Sequence, residues 1–399
     1  KPFYCLEENL EFDEVNIGIH PETLSYGSKT NFKNISQLTQ GRLLKINLNT
    51  LSKKIIRWDF PLKKLPKTSP SYIENTKEYF YLLKNATKIR LRSDVKMGTS
   101  LSGGLDSSVI FSILNLLDKE GTGSTNLNLS PIVMNYNKMK SKQEALQLTD
   151  LYKRKPIIVE DKEEDIDETK KIISKLEIIE EFFMQHNLYK NQNKRGVKVS
   201  IDGHGADEFL GYPQFFPEYS VDIFNNMINN HNATAKYGGD KTLNRLRNLF
   251  GMKSNTPGMI NFITNPDTNN YFSEYIDVKQ YNNDFLIINE DLDSLKEFSY
   301  SLAFTYLISY CGWFQFYLNK WDKASMSNSI EIRMPFLDND VRLFSLSLQT
   351  NHKIRNSRSK SILRDSFKNY LPKSIYKQEF KQGLSQHKFD FKKQKYNFF

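Results

Sequence analysis

Between residues 74 and 201 the apolar pattern switches repeatedly between a helical and a strand period, and few architectures can absorb such alternation. Residues 74–92 place Tyr79, Leu82, Leu83, Ala86 and Ile89 on roughly one helical face. Strands are predicted at Val95–Leu101, Pro131–Tyr136, Pro156–Val159 and Val197–Ile201, with helices between them at Ser107–Leu117, Ser141–Tyr152, Glu163–Leu176 and Ile178–Lys190. A tight hairpin cannot join parallel neighbours, so strands separated by helix-length connections read as a parallel sheet. Beyond Asp202 the character changes. Glu218–Asn289 is Asn-rich and weakly periodic, with a loop-rich stretch at Lys236–Thr268, and long helical patterns follow to about Tyr370. The expected fold class is α/β: a parallel sheet with flanking helices, extended by a mostly helical carboxyl-terminal part. No internal repeat or low-complexity linker marks off independent modules.

A chain of 399 residues with 39% hydrophobic content suffices for two globular domains with a generous core, which suits an enzyme. The formal net charge is +10, but the lysines are scattered among acidic residues, so no nucleic-acid partner is expected. Phosphate-rich small ligands would draw on the same basic balance. Cys5 and Cys311 are too few and too far apart for a disulfide framework or a cysteine zinc site, which fits a reducing cytoplasm. The opening residues Lys1 to Glu8 are charged and lack the apolar core of a signal peptide. Phe298–Asn319 contains no charged residue and is long enough to span a bilayer. It is interrupted by Ser299, Ser301, Thr305, Ser309, Gly312 and Gln315, so a buried helix is expected there and no membrane partner.

Three segments carry the chemistry. In the first, Ser102-Gly103-Gly104-Leu105-Asp106-Ser107-Ser108 joins a strand to a helix through small residues, so backbone N–H groups can approach a phosphate closely. Ser107 and Ser108 add hydroxyl donors. Asp106 is the wrong charge for a phosphate unless a metal ion lies between them, which suggests a magnesium-bridged polyphosphate. The plainer alternative is a glycine turn with a serine or aspartate helix cap. With no lysine inside it, the loop is not the glycine-rich Lys-Ser/Thr loop of kinase-like NTPases.

The second segment, Asp202-Gly203-His204-Gly205-Ala206-Asp207-Glu208, follows the strand Val197–Ile201, where open α/β sheets place ligand-binding groups. Asp207 and Asp106 can then share one magnesium from neighbouring strand ends, although a loop of solvated carboxylates would have the same composition. The third runs from Trp321-Asp322-Lys323 through Glu331-Ile332-Arg333-Met334-Pro335-Phe336-Leu337-Asp338. By spacing alone it is a partly buried helix and turn with paired charges.

In this order and separation the three segments resemble the synthetase domain of the asparagine synthetase family, and the first resembles the pyrophosphate-binding loop of ATP pyrophosphatases. The family pattern is Ser-Gly-Gly-Leu/Ile-Asp-Ser-Ser, then Gly-x-Gly-Ser/Ala-Asp-Glu, then Asp-Lys/Arg-x-x-Met ending in Glu-x-Arg-x-Pro-Phe-Leu-Asp. Arg92-Ser93-Asp94-Val95 and Arg355-Asn356-Ser357-Arg358-Ser359-Lys360 also resemble it, and the likeness covers roughly residues 40–390. The resemblance implies ATP and magnesium as cofactors. Ser102, Gly103, Gly104, Leu105, Asp106, Ser107, Ser108, Gly203 and Gly205 would lie around the nucleotide, and Asp106 and Asp207 on the metal. A carboxylate, by default that of aspartate, would attack the α-phosphate to give an acyl-adenylate and pyrophosphate. An amine, by default glutamine-derived ammonia, would then displace AMP, with Lys360 stabilising the developing charge.

Two departures stand out. His204 occupies a position where these enzymes commonly have glutamate, so it can serve as a general base or as a loop spacer. Leu210-Gly211-Tyr212 has one glycine where the family usually has two. Family members also begin with a glutaminase domain whose first residue is a catalytic cysteine. Here residues 1–59 resemble only its last strands, including Gly41-Arg42-Leu43-Leu44-Lys45-Ile46-Asn47, and residues 60–399 form the synthetase-like domain. The partners expected are a small-molecule or peptide carboxylate, ammonia or another amine donor and, as an option, a second copy of the chain. The same chemistry also serves peptide, sugar and intramolecular amide formation, as in lasso-peptide cyclases and β-lactam synthetases. A non-catalytic nucleotide-binding protein is the reading from another class.

Overall fold

The computed structural model describes residues 11, 30, 32–122, 126–135, 141–160, 170–172, 184–211, 294, 298–306, 309–310, 313–355 and 358–377. In chain order its main elements are β1 (Arg42–Ile46), β2 (Lys53–Arg57), α1 (Tyr72–Ile89), β3 (Met97–Thr99), α2 (Leu105–Lys119), β4 (Ile132–Asn135), α3 (Ser141–Leu151) and β5 (Ile157–Glu160). There follow α4 (Met184–Asn193), β6 (Val199–Ile201), α5 (Ala206–Leu210), α6 (Tyr300–Tyr306), α7 (Trp313–Met326), β7 (Glu331–Arg333), α8 (Asn339–Ser347), α9 (Thr350–Lys353), α10 (Ser361–Phe367) and α11 (Lys373–Tyr376). The described residues fall into two compact units. One draws on segments within 1–67, 214–318 and 346–351, and the other on 68–213, 319–345 and 352–399.

In the first unit β1 and β2 form an antiparallel hairpin with Leu43 opposite Ile56 and Leu44 opposite Ile55. Asn47 shapes its turn, the side-chain oxygen accepting from the N–H groups of Asn49 (2.9 Å) and Thr50 (3.1 Å). Leu51, in the left-handed region at φ 54°, lets the chain return. Ser301 of α6 shares a 2.6 Å hydrogen bond with Thr350.

The second unit is organised by a parallel sheet. β3 pairs with β6 and β6 with β7, while β4 pairs with β5. A parallel bridge between Ser100 and Ile132, with the Leu101 N–H donating to the Ile132 carbonyl at 2.9 Å, joins the two groups. The spatial order is therefore β5-β4-β3-β6-β7. The chain runs outward from β3 to β5, then returns to place β6 on the other side of β3. The carboxyl ends of β3 and β6 thus flank the point where strand order reverses, where open α/β sheets leave a crevice.

Both faces of this sheet are covered, as parallel pairing requires. Met97, Val133, Val199 and Ile201 are all almost fully buried. Ile132, Met134, Ile157 and Val159 pack with Leu188 of α4, and Tyr189 joins Val197, Ala324 and Ile330. α2 is buried nearly all round from Leu105 to Leu117, which suits a helix that is apolar on every side. α1 packs on α10, with Phe80 against Phe367 and Tyr370. Ile89, expected on the buried face, is 46% exposed. The buried stripe of α1 is centred on Tyr79, Leu83 and Ala86, and at 100° per residue Leu82 and Ile89 fall on its rim.

Other expectations shift in detail. The strand ends are shorter than predicted, α2 starts two residues early, and β7 arises where only a helix and turn were read. The helix expected at Ile178–Lys190 appears as Met184–Asn193 in its described part. Of the helix expected at Glu163–Leu176 the described part, Lys170–Ile172, is helical, with Ile172 in the core beside Tyr189; Glu218–Asn289, Tyr136, Cys5 and Cys311 lie outside the described residues. Within Phe298–Asn319 the described residues are helical at α6 and at the start of α7, and among the described residues no helix is long and apolar enough to cross a membrane.

Candidate active site

The chain leaves β3 through buried Leu101 and turns at Ser102-Gly103-Gly104. Gly103 lies at φ 78°, a left-handed conformation that costs a glycine little. Gly104 occupies the cap position of α2 and brings no side-chain acceptor to the first-turn N–H groups, so the alternative of a serine or aspartate cap does not describe this end. Ser102 and Ser107 stabilise the loop from within. Their hydroxyls are 2.9 Å apart, the Ser102 N–H donates to Ser107 Oγ at 3.2 Å, and the Gly104 N–H donates to Ser102 Oγ at 3.3 Å. Leu105 and Ser108 are buried, and the Ser108 hydroxyl has no hydrogen-bond partner among the described residues. Asp106 stands in the first turn of α2, where a carboxylate meets the favourable end of the helix dipole.

The second loop leaves β6 and enters α5 through Asp202-Gly203-His204-Gly205. Gly203 is set directly against the start of α2: a Cβ there would lie 2.8 Å from the Ser107 nitrogen and 2.9 Å from the Asp106 carbonyl carbon. Gly205 has φ +103°, and a Cβ on it would come within 2.5 Å of Leu337 Cδ2. These two glycines let the loop lie between the Ser102–Ser108 loop and the Pro335–Leu337 turn.

The centre of the site is an ion triad. Lys360 Nζ lies 2.7 Å from both Asp106 carboxylate oxygens and 2.6 Å from Asp207 Oδ1. The lysine side chain is 5% exposed and each aspartate side chain 14%. Two carboxylates on one ammonium leave a net charge of −1 in a site shielded from water, which strengthens every charge interaction within it. Lys360 sits at φ 52°, just before α10. Arg364, itself buried, fixes that approach by donating to the carbonyls of Ser359 (2.9 Å) and Tyr376 (3.0 Å). The acidic second segment is therefore not a solvated loop: Asp207 faces the lysine, and Asp202 and Glu208 are buried.

The remaining candidates are placed around this centre. His204 stacks on Trp321, with ring centroids 3.8 Å apart and planes 21° apart. Arg333, at the end of β7, donates to the carbonyls of Arg90 and Arg92, both at 2.7 Å, and Asp338 pairs with Arg90 at 2.8 Å. The charges of the third segment are thus paired, as its spacing suggested, and Arg333 and Asp338 tie it to Arg90 and Arg92 just past α1. Buried polar residues of α4, Tyr189 and Gln192, also reach the strand ends. Nothing in sequence marked them, because they precede the second segment in an ordinary helical pattern.

Among the described residues there is no group of three or more His, Cys, Asp or Glu side chains able to hold a metal. Magnesium commonly takes one or two carboxylates and completes its shell with waters and substrate phosphates. The pair Asp106 and Asp207 fits that requirement.

Fold and site together define a doubly wound α/β domain with a charged, largely buried centre at its strand-order switch. The chain belongs to the asparagine synthase family, whose model matches residues 78–397. It is 28% identical over 260 residues to a Methanocaldococcus jannaschii protein assigned as asparagine synthetase 2 (glutamine-hydrolyzing), a match covering 62% of this chain and 47% of the relative. The chain thus spans about half the length of the curated relative it matches. A solved structure, the U34-tRNA thiolase NcsA of Methanococcus maripaludis, aligns with 53% of this chain and 79% of its own at 17% identity and a TM-score of 0.25. No property of this chain follows from that last likeness.

Proposed function

We propose that this chain is an ATP-dependent, AMP-forming ligase that builds an amide bond through an acyl-adenylate, with aspartate and glutamine-derived ammonia as its default substrates. One observation carries the reading: the Lys360 ammonium lies within 2.7 Å of Asp106 and 2.6 Å of Asp207 at the ends of two adjacent parallel strands. Membership of the asparagine synthase family supports it. Residues 1–59 are proposed as the end of a glutaminase-type domain and residues 60–399 as the synthetase domain.

In this proposal the N–H groups of Ser102–Ser108 and the start of α2 receive the β- and γ-phosphates, with Gly203 and Gly205 keeping the second loop close. Magnesium, held by Asp106 and Asp207, would neutralise polyphosphate charge. A substrate carboxylate oxygen attacks the α-phosphorus, the bond to the bridging oxygen breaks, and pyrophosphate leaves with that oxygen. Lys360 then faces phosphate oxygens on which negative charge grows, so its stabilisation is greater in the transition state than before it. An amine displaces AMP from the acyl carbon, and His204, held against Trp321, accepts the proton the amine sheds.

The test is mass spectrometry of products after incubation with ATP, magnesium, aspartate and either ammonium or glutamine. Asparagine, AMP and pyrophosphate in equal amounts are expected from ammonium, and Asp106→Asn and Asp207→Asn should each lower pyrophosphate release by at least about a hundredfold. Release at the wild-type rate from either variant would remove the carboxylates from the mechanism.

A further inference from the structure

We infer that a buried hydrogen-bond relay through Tyr189, Gln192, Ser100, Ser200 and Asp202 positions the two site loops relative to each other, with Gln192 as its central positioning residue. This rests on the adenylation reading above and explains how its two aspartates are kept on one lysine.

Gln192 lies on α4, beneath the carboxyl ends of β3 and β6. Its amide nitrogen donates to Ser100 Oγ at 2.8 Å and to Ser200 Oγ at 2.9 Å. Ser100 follows directly on β3 and Ser200 lies within β6, the two strands that flank the switch point, and they stand two residues before Ser102 and three before Gly203. One NH2 group therefore ties both loop roots together. Gln192 Oε1 has no partner among the described residues, so the two donated bonds set the amide's place.

The relay continues into the second loop. Ser200 Oγ donates to Asp202 Oδ1 at 2.6 Å, Tyr189 donates to Asp202 Oδ2 at 2.7 Å, and the Asp202 N–H donates to the Arg333 carbonyl at 2.9 Å. Burial, reinforced by the Asp202 charge, pushes the Tyr189 phenol well above its ordinary ionisation range, so it remains a donor at any working pH. Asp202, 5% exposed, is thus held from three directions. The next residue, Gly203, presses on the backbone of Asp106 and Ser107. Rotating or lifting Asp202 would move Gly203 and with it the turn that aims Asp106 at Lys360. An apolar residue at 202 would fill the space without burying a charge, so the benefit of the relay is geometric.

The test measures pyrophosphate release by Gln192→Leu and Tyr189→Phe over a range of ATP concentrations at saturating magnesium. The rates are measured at a temperature where melting shows every variant fully folded, because a reversibly unfolded fraction would itself raise the apparent KM. A positioning role predicts that KM for ATP rises about tenfold in Gln192→Leu and about threefold in Tyr189→Phe, with cooperative melting retained. Unchanged KM in both, with only Tm lowered, would assign the relay to stability and overturn the inference. If Gln192→Leu does not fold, Tyr189→Phe decides by the same criterion. A wild-type protein that releases no pyrophosphate sinks the adenylation reading, and the rise in Tm on adding ATP and magnesium then decides the inference. A rise in wild type that is lost in the variants supports it; an equal rise in all, or none in any, overturns it.

Discussion

At the scale of single residues, two of the site's backbone exceptions bear most on substitution. Lys360 holds a left-handed conformation at φ 52°, which costs a non-glycine residue about 1–2 kcal/mol. The Arg364 bonds to Ser359 and Tyr376 hold that turn in place and so keep the ammonium on Asp106 and Asp207. Gly203 is the other exception, because the atoms a Cβ would meet are backbone atoms of α2, which cannot rotate aside. Gly203→Ala should therefore destabilise the protein by about 1–3 kcal/mol in urea denaturation and depress pyrophosphate release beyond that loss of folded protein. A variant with wild-type stability would show that the loop has room to move. Asp106 and Asp207 were legible in sequence as a pair able to share one cation, yet the meeting of Lys360 with both of them was not. Asp106 and Lys360 are 254 positions apart, and no local pattern encodes a contact at that distance.

At the scale of elements, the alternation of periods foretold β3, α2, β4, α3, β5 and β6, because each buries a face that only one period can supply. β7 was hidden. Glu331-Ile332-Arg333 is three residues long and two of them are charged, so it carries no strand signature. It is a strand because β6 offers an unpaired edge and Arg333 ties its end to the segment just past α1. Arg333→Met should cost about 2 kcal/mol, since two hydrogen bonds from a charged group to the Arg90 and Arg92 carbonyls are lost from a partly exposed position. Arg333→Lys should restore less than half, because the ammonium on its shorter stem lacks the rigid planar group that aims both N–H bonds of one guanidinium nitrogen at the two carbonyls. Urea midpoints of the three proteins check this, and equal midpoints for wild type and Arg333→Met would rule out the brace.

At the scale of the whole molecule, the sheet-bearing unit is discontinuous in sequence. Its segment from residue 352 onward supplies α10, α11 and the only cation of the described ion triad. A chain ending at Asn351 would uncover the surfaces of α1 and α2 that Ile362, Leu363, Phe367 and Ile375 help to bury, and would leave Asp106 and Asp207 facing each other without Lys360. Such a chain should show no cooperative thermal transition; a sharp melt near that of the full chain would contradict this account. The sequence by itself determined the α/β class, the places of the loops at the strand ends and the family, because helix and strand periods, glycine spacing and short motifs are local. Which charges meet, the order β5-β4-β3-β6-β7, and the reach of Gln192 to both loop roots were decided only by tertiary structure. Strand order and ion pairing follow from burial and crossover paths among residues far apart in the chain, and those exist only once the sheet has closed around its core.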